Sequence, residues 1–507
     1  MAKKYDAIVI GAGNAGLCCA ATMAKNGLSV LVLERNSVPG GSATSFRRGR
    51  FEFEAALHEL ASVGTKEDPG SVMRLFSYYG IDIDWQYEKN AFRVIADGDC
   101  GYDVTMPAGI EDFCREMERS VPGSFESTLA AFKLGSKIGA GFNYLSSGNV
   151  DPQVLFSEHG DFLRAVSHSV DECLCALGMP KKAQDIFKTY WPYLGAPTSE
   201  LDFAHYMLMV DSYIRKRPAM PHLRSHELSL ALEEVIVKLS GEVRYNCPCE
   251  KILTKDGKAY GVIAGGEEIY ADAVVANCFP DTAYKSLLDP EAVSERALKI
   301  AGARKISSLF FSVYLGLNRS AEELGIKDYS VFLFDTPDSG EQYERSASLD
   351  TTSMVVANCL NCAVPDSSPE GTSTVFITTM LREEAWGDVR PEDYKKLKNR
   401  FAKKLIKLYE NKMGISLMPY IEEIAIATPA TFARYLGTPC GTPYGYELRG
   451  WDTMLCRIMN AKNEQAVENL YFVGAHGERG DGYSTTYANG NSVGEKIAKG
   501  VQKNGRS

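Results

Sequence analysis

Gly11, Gly13 and Gly16 stand at the spacing Gly-x-Gly-x-x-Gly, with an acid, Glu34, further along the chain. This set can hold a dinucleotide. The first glycine permits a tight turn, the second lets backbone approach a pyrophosphate, and the third lets the following helix pack close to its strand. Asn14 and Ala15 would open that helix, where free N–H groups and the positive dipole end favour an anion. A carboxylate at Glu34 would accept hydrogen bonds from a ribose 2′-OH and repel a 2′-phosphate. Gly40-Gly41-Ser42-Ala43 offers a second close backbone approach. A later cluster, Gly474-Ala475 with Gly477, Gly480 and Gly482, runs into Tyr483-Ser484 and makes another helix N-terminus. His58 is one of seven histidines. It could move a proton, although a lone histidine serves structure more often than chemistry.

These residues need particular elements beneath them. Ile8-Val9-Ile10 reads as a buried parallel strand, residues 14–26 as a helix, and Val30 to Leu33 as the second strand, ended by Glu34. Arg35 to Phe46 reads as a loop and Gly49 to Glu54 as a strand. Glu227 to Leu239 has helical spacing. Cys249–Leu253, Gly261–Ala264, Glu268–Tyr270 and Asp272–Asn277 read as strands, with Asp256-Gly257 as a hairpin turn. Leu470 to Val473 is a last apolar strand before a helix from about Thr486. The segment 66–225 lacks this grammar and reads as mixed helices with aromatic insertions, including Tyr190-Trp191-Pro192-Tyr193-Leu194 and Tyr206-Met207-Leu208-Met209. A second excursion, 286–430, carries strand-like runs at 309–317, 330–334, 353–357 and 374–379, then a lysine-rich amphipathic helix from Pro391 to Lys412.

The fold class is therefore α/β, a Rossmann-like cofactor domain of the glutathione reductase type with an α+β substrate domain. The cofactor domain is discontinuous, from 1–65, 225–285 and 430–507. The substrate or cap domain comes from 66–224 and 286–429, where a large apolar substrate would sit.

With 507 residues the chain can bury a large core. A net charge of −10 argues against a nucleic-acid partner. No uncharged apolar run is long enough to span a bilayer, which leaves room for peripheral membrane contact only. Lys3-Lys4 ahead of an apolar run resembles a signal peptide, but Asp6 and Asn14 interrupt it and the second strand continues the motif. With 13 cysteines and no export signal, the thiols are expected reduced and the location cytoplasmic. Cys359-x-x-Cys362 has finger-like spacing without a second pair, so no metal is expected.

Asp6 to Glu34, Pro39-Gly40-Gly41-Ser42, Cys249 to Asn277, and Leu470 through Gly482 resemble the FAD-dependent phytoene desaturase, carotenoid isomerase and retinol saturase superfamily, itself related to flavin amine oxidases. The resemblance implies FAD. Gly11, Gly13 and Gly16 would hold its pyrophosphate. Glu34 would bind the adenosine ribose, with Arg35 beside it. Gly40, Gly41 and Ser42 would meet the phosphate and ribityl region, and Cys249 the adenine. Gly474, Ala475, Gly482 and Tyr483 would line the ribityl chain and flavin. The family's Phe-Asp-x-Gly is here Phe53-Glu54-Ala55-Ala56, and His58 falls where retinol saturase-like members carry a histidine.

The implied activity is addition, removal or movement of carbon–carbon double bonds in an apolar polyene or isoprenoid substrate. An external electron donor or acceptor would serve it, since no second nicotinamide-type module appears. His58 would be the proton donor, its pKa raised by Glu54 and Glu59, and Tyr483 a second catalytic candidate. An amine oxidase remains the alternative, with Tyr483 and Tyr487 as an aromatic cage. A flavin protein without turnover is a third reading.

Overall fold

The computed structural model describes residues 4–98, 101–147, 150–351, 354–464, 466–477, 480 and 482–504. Glu478, Arg479 and Asp481 of the second glycine cluster lie outside these described residues. Lys4–Ile10 pairs in parallel with Val30–Leu33 on one side and Glu267–Ala276 on the other. Val30–Leu33 pairs in turn with Glu242–Arg244. Glu267–Ala276 divides its second edge: its first half pairs antiparallel with Lys258–Ala264, and its last residues pair in parallel with Leu470–Phe472. The expected strands 268–270 and 272–277 are thus one continuous strand with two partners on that edge. The hairpin turn lies at Asp256-Gly257, both with positive φ, which glycine adopts freely and aspartate tolerates.

The Asn14–Lys25 helix crosses this sheet and packs on the Tyr483–Asn504 helix. Two glycines allow the approach: a Cβ at Gly490 would stand 2.3 Å from the Ala15 carbonyl, and one at Gly494 2.8 Å from Thr22 Cβ. Cys18, buried as expected, donates to the Tyr487 carbonyl.

The second sheet runs in the order Ile421–Ala427, Leu309–Leu317, Ser373–Leu381, Met354–Cys359, Ser330–Phe334, Asn90–Ala96, Tyr102–Pro107. Its strands Leu309–Leu317, Ser373–Leu381, Met354–Cys359 and Ser330–Phe334 are buried on both faces. Phe310, Tyr314, Phe332 and Phe376 join the cluster of aromatic helices. Phe311, Val313, Leu315 and Ile377 pack under the Pro391–Met413 helix. The segment 66–225 is not purely helical: Trp85–Tyr87, Asn90–Ala96, Tyr102–Pro107 and Ala219–Pro221 are strands. Their alternation is brief, and Asn90–Ala96 is stabilised by parallel pairing with distant Ser330–Phe334.

Strand structure also begins inside the expected 35–46 loop. Ser45–Arg48 and Phe51–Glu54 form a hairpin turning at Gly49-Arg50. The last helix starts at Tyr483, three residues earlier than its periodicity suggests. Among the described residues, no helix is long and apolar enough to cross a membrane.

Candidate active site

The glycine turn is built by close contacts. A Cβ at Gly16 would stand 2.2 Å from the Gly11 carbonyl, and one at Gly13 2.8 Å from the Asn277 amide. Gly40 takes φ +111 and donates its N–H to the Ala12 carbonyl at 2.7 Å, laying the second glycine pair against the first motif. Asn277 ends the central strand between both glycine clusters. In the orientation that satisfies both its ends, its amide donates to the Val473 carbonyl at 3.1 Å and accepts from the Gly13 N–H at 3.2 Å. The sequence showed Asn277 only as a strand end; a polar residue after an apolar strand was the available signal.

One cavity of about 700 Å³ joins these motifs to the aromatic helices. Gly11, Gly13, Asn14 and Ala15 line it at one end, with Glu34 and Arg35. Gly40, Gly41, Ser42 and Cys249 also face it, as do Gly474, Ala475, Gly482, Tyr483 and Ser484. Gly16 and Ala43 do not. They sit behind the wall, Gly16 against the turn and Ala43 with its carbonyl accepting from Ser229.

The residues at this end fit an adenine dinucleotide. Gly13 caps the Asn14–Lys25 helix with no side chain in the way, leaving that N-terminus open to phosphate. The Asn14 side-chain oxygen is buried without a partner among the described residues. Glu34 accepts the Ala12 N–H at 2.8 Å on one oxygen and the Asn36 N–H at 2.7 Å on the other, and each oxygen keeps a lone pair for a ribose hydroxyl. Arg35 turns to the Arg434 carbonyl, at the rim near Gly437. Burial pushes the Cys249 thiol up to about 12, so it stays protonated.

The opposite end is walled by Leu194, Leu208, Met209, Phe310, Tyr193 and Tyr213. The aromatic insertions of the sequence supplied most of these, but Phe310 comes from the other excursion, and Tyr444, which also lines the cavity, from the 430–507 segment. His58 lies here, its ring edge-on to Phe376 at 4.9 Å and Tyr193 at 5.8 Å. Its carbonyl accepts from Tyr329 and from Asn358.

The expected raised pKa of His58 is not found. Burial lowers it to about 3, and Nδ1 meets no hydrogen-bond partner among the described residues. The acids expected to help it are engaged elsewhere. Glu54 accepts from the backbone N–H and hydroxyl of Ser225, capping the middle helix, and from the Leu57 N–H. Glu59 accepts from Tyr193. His205 and His476 also line the cavity, lowered by burial to about 4 and about 3.

Tyr483 donates its hydroxyl to the Ser42 carbonyl at 2.8 Å, tying the last helix to the second glycine pair. Tyr487 is fully buried away from the cavity, edge-on to Phe76 at 5.3 Å and at 85° to Tyr483. These two rings do not form a cage.

Residues 14–478 match the flavin containing amine oxidoreductase family, and the chain belongs to it. It is an FAD-dependent oxidoreductase. Over 511 residues it is 23% identical to all-trans-retinol 13,14-reductase of Danio rerio, covering 93% of this chain and 82% of that protein. It is 25% identical over 495 residues to chloroplastic prolycopene isomerase of Daucus carota, covering 93% and 76%. Its fold is similar to that of a crystallised oxidoreductase from Methanosarcina mazei, with a TM-score of 0.64 and 19% identity over 97% of this chain and 100% of the other.

Proposed function

We propose that the protein adds, removes or moves carbon–carbon double bonds in an apolar polyene or isoprenoid substrate. The observation that carries this is the chemistry of the cavity's far end. Its wall is aliphatic and aromatic, His58 and His205 are held neutral, and its Glu59 carboxyl is held protonated by burial. A charged amine would find no carboxylate there and no cage, whereas the aliphatic and aromatic wall suits a polyene. The retinol and prolycopene enzymes among the relatives support the same substrate class.

Bound FAD supplies the two-electron chemistry. Gly11, Gly13, Asn14 and Ala15 hold the pyrophosphate, with Gly16 packing the turn, and Glu34 the ribose. Gly40, Gly41, Ser42 and Cys249 complete the adenosine and ribityl contacts, with Ala43 behind them. Gly474, Ala475, Gly482, Tyr483 and Ser484 face the flavin. His58 contacts the substrate as a neutral imidazole. The cofactor unit comprises 1–65, 225–285 and 430–507, a division supported by the first sheet drawing strands from all three segments. Electrons come from or go to an external partner.

The test is anaerobic. Protein reduced with dithionite is mixed with all-trans-retinol or prolycopene, and the flavin spectrum and extracted polyene are followed. A changed polyene is the expected result, with the flavin reoxidised where a double bond is saturated and left reduced where one is only moved. In a second arm, run in air with the flavin oxidised, peroxide formation with primary amines, together with no response to either polyene in the anaerobic arm, would replace this reading with the amine one.

A further inference from the structure

Next to His58 in the chain, Glu59 lines the same cavity while only 3% exposed. Three tyrosines enclose it. Tyr193 donates to its Oε1 at 2.8 Å, Tyr190 reaches Oε2 at 3.5 Å, and Tyr213 donates to its backbone carbonyl at 3.3 Å. Ser330 adds a long contact to Oε1 at 3.4 Å. Behind it stands Glu88, 1% exposed, with neither oxygen met by a conventional donor among the described residues. The polar group Glu88 meets is the Glu59 carboxyl itself. Two carboxyls in contact in a dry site cannot both ionise, so the pair retains protons. Burial holds both groups above the usual carboxylate range, and no cation contributes at Glu88.

The neighbouring bases do not compete for this role. His58 is neutral and its ring is walled by Phe310, Phe376 and Tyr193, so it has only a weakly acidic N–H to give. Tyr190 and Tyr193 are held protonated by burial and by the adjacent acids. Tyr329 hydrogen-bonds the His58 carbonyl and turns no acid toward the cavity.

We infer that Glu59 is the catalytic proton donor of the double-bond chemistry proposed above, oriented by Tyr193 and reloaded by Glu88; the inference rests on that reading. Written for saturation, the Glu59 O–H bond breaks and a C–H bond forms with the π pair of the substrate. The other carbon takes a hydride equivalent from the cofactor, which an external electron donor re-reduces. Glu59 is left as a carboxylate, the proton on Glu88 crosses the carboxyl–carboxyl contact to restore it, and Glu88 regains a proton from solvent before the next turnover.

The test uses the FAD-loaded protein. Infrared spectra near neutral pH should show a protonated-carboxyl stretch that is lost in Glu59→Gln at unchanged FAD content. With all-trans-retinol as probe, Glu59→Gln should lower kcat about 10²-fold or more at unchanged KM, the size of a general acid's contribution. A wild-type spectrum without the band, or a Glu59→Gln variant with wild-type kcat, overturns the inference. If all-trans-retinol is not turned over at all, the substrate reading fails, while the infrared result still decides whether Glu59 carries the proton. Should Glu59→Gln lose FAD, Tyr193→Phe removes only the 2.8 Å bond, and a shifted stretch with lowered kcat is then the required result.

Discussion

The two ends of the cavity recognise their ligands by different means. The nucleotide end is made of backbone: glycines that bring chain against chain, an uncapped helix terminus, and one acid at a strand end. The substrate end is made of side chains from distant segments, meeting across a second sheet. Backbone recognition tolerates almost no substitution at its close contacts. Side-chain recognition can be retuned one residue at a time, which lets one cofactor fold serve different substrates.

The sharpest way to break this contrast is Gly13→Asp. A Cβ there already stands 2.8 Å from the Asn277 amide, and a carboxylate would face the pyrophosphate. The purified variant should be colourless and should not take up added FAD; a yellow variant would mean the first motif does not hold the cofactor.

His58→Ala probes the other end. FAD content should match wild type while polyene turnover falls about 10²-fold through misplacement of the substrate. His58→Gln, which keeps bulk and a donor, should retain most activity. A glutamine variant as impaired as alanine would return the proton to the imidazole. Because His58 titrates at about 3, its ionisation should leave no mark on the rate profile near neutral pH.

Tyr483→Phe lies between the ends. It removes one hydrogen bond to Ser42, an effect of about 1 kcal/mol. FAD should dissociate several-fold faster in stopped-flow release, with turnover otherwise kept.

The last effect is on stability. Burial raises the Glu88 carboxyl, so the folded chain keeps a proton that the unfolded chain releases above its ordinary value of 4.5. That stabilising contribution is complete below 4.5 and is lost as pH rises toward the folded value. In Glu88→Gln it is absent. The melting temperature of the variant relative to wild type should therefore climb as pH rises above about 5. A difference independent of pH would show that Glu88 is ionised in the folded protein.

The same division explains what could be read from the sequence. Val30–Leu33, Leu309–Leu317 and Ser330–Phe334 stand at the expected bounds because long apolar runs report burial locally. The glycine spacing reported the nucleotide end because each glycine answers a contact within a few residues or to one neighbouring strand. Asn90–Ala96 was hidden because its partner lies in the other excursion. The pKa of His58 was misread because sequence proximity to Glu54 and Glu59 says nothing about where their carboxyls turn. Glu54 caps a helix that begins at Ser225, and Glu59 faces tyrosines. The role of Asn277 depends on both glycine clusters converging on one strand end.

The divided edge of Glu267–Ala276 has a consequence for biosynthesis. Its antiparallel partner emerges from the ribosome just before it, but Leu470–Phe472 follows almost two hundred residues later. At roughly 5–20 residues per second the half-built sheet waits on the order of ten to forty seconds with that edge unpaired. Through that interval the nascent chain carries a hydrophobic strand end and an incomplete flavin wall. Completion of that wall waits on Leu470–Phe472, the strand that acts as the latch and ends the exposure.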